Sequence, residues 1–233
     1  MNLDQMNAYG NELQSLLHLE GFPVAVKLVP AGSEDEFIDR FEKFGSQVRH
    51  CQMTDRVRRT GEMFYTTLEE HQCKGGAAAL GLTKLPEKVK SGEFYFETLH
   101  HFETLKAAKK TIDLITFLEP NSHSIAIYAP LGKASFEPDV VIFICHPEQA
   151  MLLTQGWEYR DGGRIDAAFS GKQSVCSDAV AHVVKTGKPN ATIGCSGSRS
   201  HAGIMPNEMI FSIPAEDVEK TVHGLRMLLG GSD

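Results

Sequence analysis

The sequence predicts an α/β fold, a mixed β-sheet flanked by helices, with α+β as the alternative. Three observations predict it. Short β-rich runs alternate with amphipathic helical runs along the chain. The run Asp139 to Ile144 is apolar beyond its first residue, as a strand covered on both faces is. Two separated stretches also repeat one order: cysteine, short helical run, glycine, short strand, cysteine in a glycine-bearing turn. The first passes from Cys51 through Gly61 to Cys73-Lys74-Gly75-Gly76. The second passes from Cys176 through Gly187 to Gly194-Cys195-Ser196-Gly197-Ser198-Arg199.

Residues 2–19 carry Leu3, Met6, Leu13, Leu16, Leu17 and Leu19 at helical spacing, and Gly21 and Pro23 end that helix. Residues 24–29 form a strand closed by Pro30 and Gly32. Ser33 and Glu36 make a capping box for a helix holding Phe37, Ile38, Phe41 and Phe44. Residues 52–60 are helical, with Met53, Val57 and Thr60 on one face; Gly61 interrupts, and residues 63–67 favour a strand. That break decides whether a shared site exists. An unbroken helix from 52 to 70 would hold Cys51 and Cys73 roughly 30 Å apart, whereas a helix–turn–strand return lets both reach one place.

Residues 77–80 form a short helix ended by Gly81, Pro86 opens a turn, and residues 98–110 form a Lys-rich amphipathic helix carrying His100 and His101. Adjacent helical side chains point about 100° apart, which does not suit one metal. Residues 124–129 and 139–144 are strands, and the second leads through Cys145-His146-Pro147 into a helix to about 155. Residues 164–169 are a further strand. Ser174 caps a helix over 175–185 that Gly187 stops. Residues 191–193 and 209–213 are strands, and residues 215–229 close the chain as an amphipathic helix with Val218, Val222, Leu225 and Leu229 inward. The expected organisation is a single domain over 1–233, any subdomain boundary falling near 115–122.

Charge and composition narrow the function classes. A net charge of −7 opposes a nucleic-acid surface, and the basic cluster Arg56, Arg58 and Arg59 suits a solvated helix face. No apolar run approaches the roughly 20 residues that span a bilayer, and the polar N-terminus is no signal peptide. The expectation is a cytoplasmic protein without nucleic-acid or membrane partners. Five cysteines in such a compartment point to metal binding, catalysis or simple burial rather than disulfides.

Cys51, Cys73, Cys176 and Cys195 all fall at helix starts or in N–H-rich turns. Such positions favour thiolate and suit an anionic thiolate-bound cluster. The intervals are 21 residues between Cys51 and Cys73 and 18 between Cys176 and Cys195, with no C-x2-C pair, so neither a zinc ribbon nor a bacterial ferredoxin pattern is met. The plain alternative is that cysteines are small buried residues. Cys145-His146, at a strand end, is a further candidate, though a capped strand end accounts for it as well. His50 and His71 flank the first cysteine pair as substitute ligands or as side chains that orient a ligand, against the commoner structural role of a lone histidine. Gly75, Gly197, Lys74 and Arg199 are candidates for holding a cofactor or an anionic group, against a role as ordinary turn residues.

The runs Pro23-Val24-Ala25-Val26-Lys27-Leu28, Cys73-Lys74-Gly75-Gly76 with Leu80-Gly81-Leu82, and Gly194-Cys195-Ser196-Gly197-Ser198-Arg199 resemble the family catalogued as domain of unknown function 169, over about residues 10–225. The resemblance implies an anaerobic, cytoplasmic setting, in which an oxygen-sensitive cluster is stable. It brings no established activity and assigns no ligands.

The leading expectation is a [4Fe–4S] cluster on Cys51, Cys73, Cys176 and Cys195. Its role would be electron transfer to a redox partner protein, redox sensing, or activation of a small molecule. A non-redox module that holds an anionic small molecule in the turns at 74–76 and 194–199 is the alternative. A zinc site and a thiol enzyme using Cys195 or Cys176 are two more. One chain supplies all four thiols, or a homodimer joins pairs across two chains.

Overall fold

The computed structural model describes residues 2–230. Six runs rich in β-branched and aromatic residues become strands: β1 (Val24–Pro30), β2 (Phe64–Thr66), β3 (His123–Pro130), β4 (Val140–Cys145), β5 (Asn190–Thr192) and β6 (Met209–Pro214). They form one sheet in the order β2-β3-β1-β4-β6-β5. The class is the expected one, a sheet flanked by helices. All five strand pairings are antiparallel, the α+β arrangement, and parallel contact among the described residues is confined to isolated bridges at Lys43–Tyr65 and Val48–His71.

Side chains alternate across a strand, so the sheet builds two apolar layers. One face carries Val24, Val26, Leu28, Tyr128, Val140, Ile142 and Ile144. It is covered by α3 (His50–Thr60), α4 (Lys74–Ala79), a π-helical turn (Ser174–Ala181) that continues into α8 (His182–Thr186), and α9 (Ser196–His201). The other face carries Ala25, Val29, Ile127, Val141, Phe143, Phe211 and Ile213. There α1 (Leu3–Leu16), α7 (Pro147–Glu158) and α10 (Val218–Leu229) pack.

The strand order reads as a duplication. β2-β3-β1 runs to the centre from one edge, and β5-β6-β4 runs to it from the other. The halves meet where Val24, Ala25 and Val26 pair antiparallel with Ile142, Val141 and Val140, as a two-fold axis through that pairing requires. Helix α3 ends on Gly61 at φ +72°, and α8 ends on Gly187 at φ +62°. Each then turns back as an edge strand, β2 or β5, and leads to a cysteine that opens a short helix. β3 and β6 each close on a proline followed by a 3-10 turn, Leu131–Lys133 and Ala215–Asp217. The two repeated cysteine segments of the sequence are therefore equivalent places in a pseudo-two-fold fold.

Four expected elements differ. The helix after Ser33 shrinks to α2 (Asp35–Ile38), with Glu34 before it; the Glu34 carboxylate accepts from the Gly32 N–H and the Ser124 hydroxyl. Phe44 lies in an extended segment instead, because the free edge of β2 takes it: Phe44 N–H donates to the Tyr65 carbonyl and Tyr65 N–H to that of Glu42. The Lys-rich helix begins late, as α6 (Leu105–Ile112) capped by Thr104. It follows α5 (Glu87–Lys90) and a π-helical turn, Phe94–Thr98. His100 therefore lies outside any helix, at φ +52°, and His101 N–H is held by the Tyr95 carbonyl.

Residues 164–169 are not a strand. The Asn190 side-chain amide bonds the Ala168 backbone in both directions, at 2.8 and 3.0 Å, and stands in for a ladder partner. The helix after Gly171 begins one residue early, as a π-helical turn. Gln173, left-handed at φ +48° and ψ +42°, is its cap, and Ser174 is its first residue.

Candidate cysteine-lined site

Serine, threonine, aspartate and asparagine ordinarily cap helices by accepting an early N–H. In this chain sulfur does so twice. Cys73 caps α4 and its Sγ accepts from the Gly76 N–H at 3.4 Å; Cys195 caps α9 and its Sγ accepts from the Ser198 N–H, also at 3.4 Å. Cys51 and Cys176 form the second equivalent pair, each buried in the opening turn of the helix upstream. The fold brings all four to one cavity of about 500 Å³. Gly76 separates two of them: a Cβ there would lie 3.5 Å from Cys176 Sγ and 3.6 Å from Cys73 Sγ.

Cys51, Cys176 and Cys195 differ in charge preference. Burial pushes the Cys195 thiol up, but hydrogen bonds from Ser174 and Ser198 outweigh it and hold the group below its ordinary value. Burial, with Cys195 and Cys73 nearby, pushes Cys51 up to about 12. Burial, then Cys73, Cys195 and Cys51, raises Cys176. All five cysteines are free thiols. Among the described residues, no three or more His, Cys, Asp or Glu side chains form a group that could hold a metal ion.

Gly75, Gly197 and Lys74 line the cavity, and Lys74 Nζ donates to the Leu68 carbonyl at 3.1 Å. Arg199 does not line it. Its guanidinium donates to the carbonyls of Ile193, Met205 and Glu208, and so braces the loop between α9 and β6. Cys145 is also elsewhere. It shares the parity of Val141 and Phe143, so it packs into the layer on the far side of the sheet.

His50 lines the cavity, fully buried, with Nδ1 2.8 Å from the Tyr128 hydroxyl and no partner for Nε2. Its ring lies 6.5 Å from that of His71 at 12°. His71 is buried behind it, bonded through Nε2 to the Thr66 hydroxyl at 3.0 Å. Nothing in the sequence marks Arg49, Tyr95, Lys172 and Gln173, which also line the cavity. Arg49 and Gln173 cap the helical turns that carry Cys51 and Cys176, Tyr95 comes from the insertion after α4, and only the tertiary fold directs them here.

No helix among the described residues is long and apolar enough to cross a membrane. No solved structure matches the chain. It is 38% identical over 226 residues to an uncharacterized protein of Methanocaldococcus jannaschii, covering 97% of this chain and 95% of that one. Residues 12–224 match the model of a family described as an uncharacterised ArCR, domain of unknown function 169. Together these matches, which span nearly the whole chain, mean that it belongs to the domain of unknown function 169 family.

Proposed function

We propose that this chain binds a [4Fe–4S] cluster through Cys51, Cys73, Cys176 and Cys195 and serves a redox or small-molecule-activating role. One observation carries the reading: the four thiols line a single cavity as two pseudo-two-fold-related pairs. A cubane has four equivalent iron corners and its own two-fold axes, so two equivalent pairs of thiolates suit it. One zinc would need all four sulfurs about 2.3 Å from one point, whereas four irons each take one sulfur and ask for less closure.

The surroundings support an anionic occupant. The Gly76 and Ser198 amides already donate to sulfur, as amides do around clusters. Arg49 favours the Cys51 thiolate, and Lys74 and Lys172 line the same cavity. Free thiols throughout suit a reducing, cytoplasmic compartment. The cluster, when bound, supplies one-electron chemistry; the chain supplies the thiolates, the N–H bonds and the walls. The alternative anion module loses two of its proposed parts, because the turn amides of Gly76 and Ser198 go to sulfur and Arg199 goes to carbonyls.

The test is to purify the protein without oxygen and count iron and acid-labile sulfide. About four of each per chain are expected, with a loss of iron in each of Cys51→Ser, Cys73→Ser, Cys176→Ser and Cys195→Ser. A colourless wild-type protein, or iron retained by all four variants, overturns the reading.

A further inference from the structure

The cavity has one end built by the repeat and one that is not. The thiols occupy the repeated part. A further wall comes from the insertion between α4 and β3, which has its own small core of Val89, Tyr95, Ala108, Ile112 and Ile115. Where the first half has this insertion, only residues 202–208 join α9 to β6 in the second. This wall presents Phe94, Tyr95, Leu99 and His101, faced by Lys172 and Gln173 from the loop before the π-helical turn.

Gln173 is the informative residue. It is 7% exposed, and its Nε2 donates to the Tyr95 hydroxyl at 3.2 Å while its Oε1 has no partner. Its backbone holds a left-handed conformation that glutamine seldom adopts. An orphaned buried carbonyl oxygen costs stability unless something donates to it. Thiolates and sulfides are acceptors, so a cluster cannot be that donor. His50 Nε2 is the second orphan. Its ring also meets the Val175 backbone. Lys172 places a cation at the cavity, near His101 and over the Phe102 ring at 5.2 Å.

We infer that the cavity takes a second occupant beside the cluster, a small organic anion bearing a hydroxyl or amino donor. Gln173 Oε1 accepts from that donor, Lys172 meets the anionic group, and Tyr95 with Phe94 packs its carbon frame. The whole cavity, thiol end included, is about 500 Å³, within the range of small-molecule sites. The inference rests on the cluster reading for the inner end only; the Gln173 subsite exists with or without iron.

The test uses calorimetric titration of the full chain, prepared without oxygen, with iron counted on the same sample. The probes are matched pairs, lactate against propionate and glycerol 3-phosphate against propyl phosphate. In at least one pair the hydroxylated member should bind at least about tenfold tighter, because a buried acceptor left unpaired penalises the other. Which pair discriminates tells carboxylate from phosphate. Gln173→Asn keeps a residue tolerant of the left-handed backbone but withdraws the amide, and should bring the pair to within about twofold without changing iron content. Lys172→Gln, at a partly exposed site, should weaken both members and serves if Gln173→Asn does not fold. Equal affinity in both pairs, no binding at all, or discrimination that survives Gln173→Asn overturns the inference. Discrimination without iron leaves it standing and removes the cluster; iron without discrimination does the reverse.

Discussion

Cys73 and Cys195 do a capping residue's work with sulfur, and that gives the site its first testable property. Their Sγ atoms are already fixed by backbone N–H groups, whereas Cys145 lies across the sheet. Cys145→Ala should therefore leave iron content unchanged while each of the four serine variants lowers it. Gly76→Ala is a sharper probe. Its Cβ makes only ordinary contacts, 3.5 and 3.6 Å from two sulfurs, so folding should persist. Iron should still fall, because the methyl group takes the space between Cys73 and Cys176; iron analysis beside an unfolding curve checks both. The cysteines were legible because a rare residue type recurred at equivalent positions. Gln173 was not, since a glutamine in a loop looks like any other until the cavity leaves its carbonyl unpaired.

The buried histidines set a pH dependence. Burial, with His71 beside it, holds His50 down to about 3; burial, with Lys74, holds His71 down to about 4. Both values lie below the ordinary 6.5, so the unfolded chain takes up protons first as pH falls. Stability from the neutral rings is fully present above pH 6.5. It is lost as pH falls from there toward 4, at about 1.4 kcal/mol per pH unit for each ring. Urea midpoints of the metal-free protein should drop across that window, and His71→Gln should flatten the fall. An unchanged slope in the variant would show that His71 is not buried neutral.

At the scale of elements, the left-handed glycines carry the design. Gly61 and Gly187 stop a helix so that the chain can return as an edge strand toward the cavity. A Cβ at Gly187 meets nothing within 4 Å, so its substitution isolates backbone strain. Gly187→Ala should cost about 1–2 kcal/mol and Gly187→Asn less, measured by chemical denaturation; equal costs would contradict the strain argument. These breaks were visible in sequence because glycine punctuates local structure. The strand expected over 164–169 failed because its alternation carried no record of Asn190, whose side chain satisfies the Ala168 backbone. The helix expected over 33–44 failed because the open edge of β2 offered its last residues hydrogen bonds that local propensity does not count.

For the whole molecule, both apolar layers draw residues from both halves, and α1 and α10 pack together on the far face with Arg226 paired to Glu12. Unfolding should therefore be one cooperative transition. Trp157, bonded to Asp217 at 2.7 Å, gives a local fluorescence signal whose urea transition should coincide with that of far-UV circular dichroism; separate midpoints would mean that the halves unfold apart. Leu13, fully buried between the termini, should cost about 2–5 kcal/mol as Leu13→Ala.

The sequence by itself determined the layered class, all six strand positions to within a residue or two, the glycine stops and the four repeated cysteines. Periodicity, backbone restriction and rare residue types are local properties, and they survive in a linear string. Only the tertiary structure decided that the strands pair antiparallel about a central two-fold, that Cys145 and Arg199 turn away, and that Gln173, Lys172 and Tyr95 join the cavity. Those outcomes depend on which face a strand shows and which distant backbone groups need partners, and both are set by the packing of the whole chain.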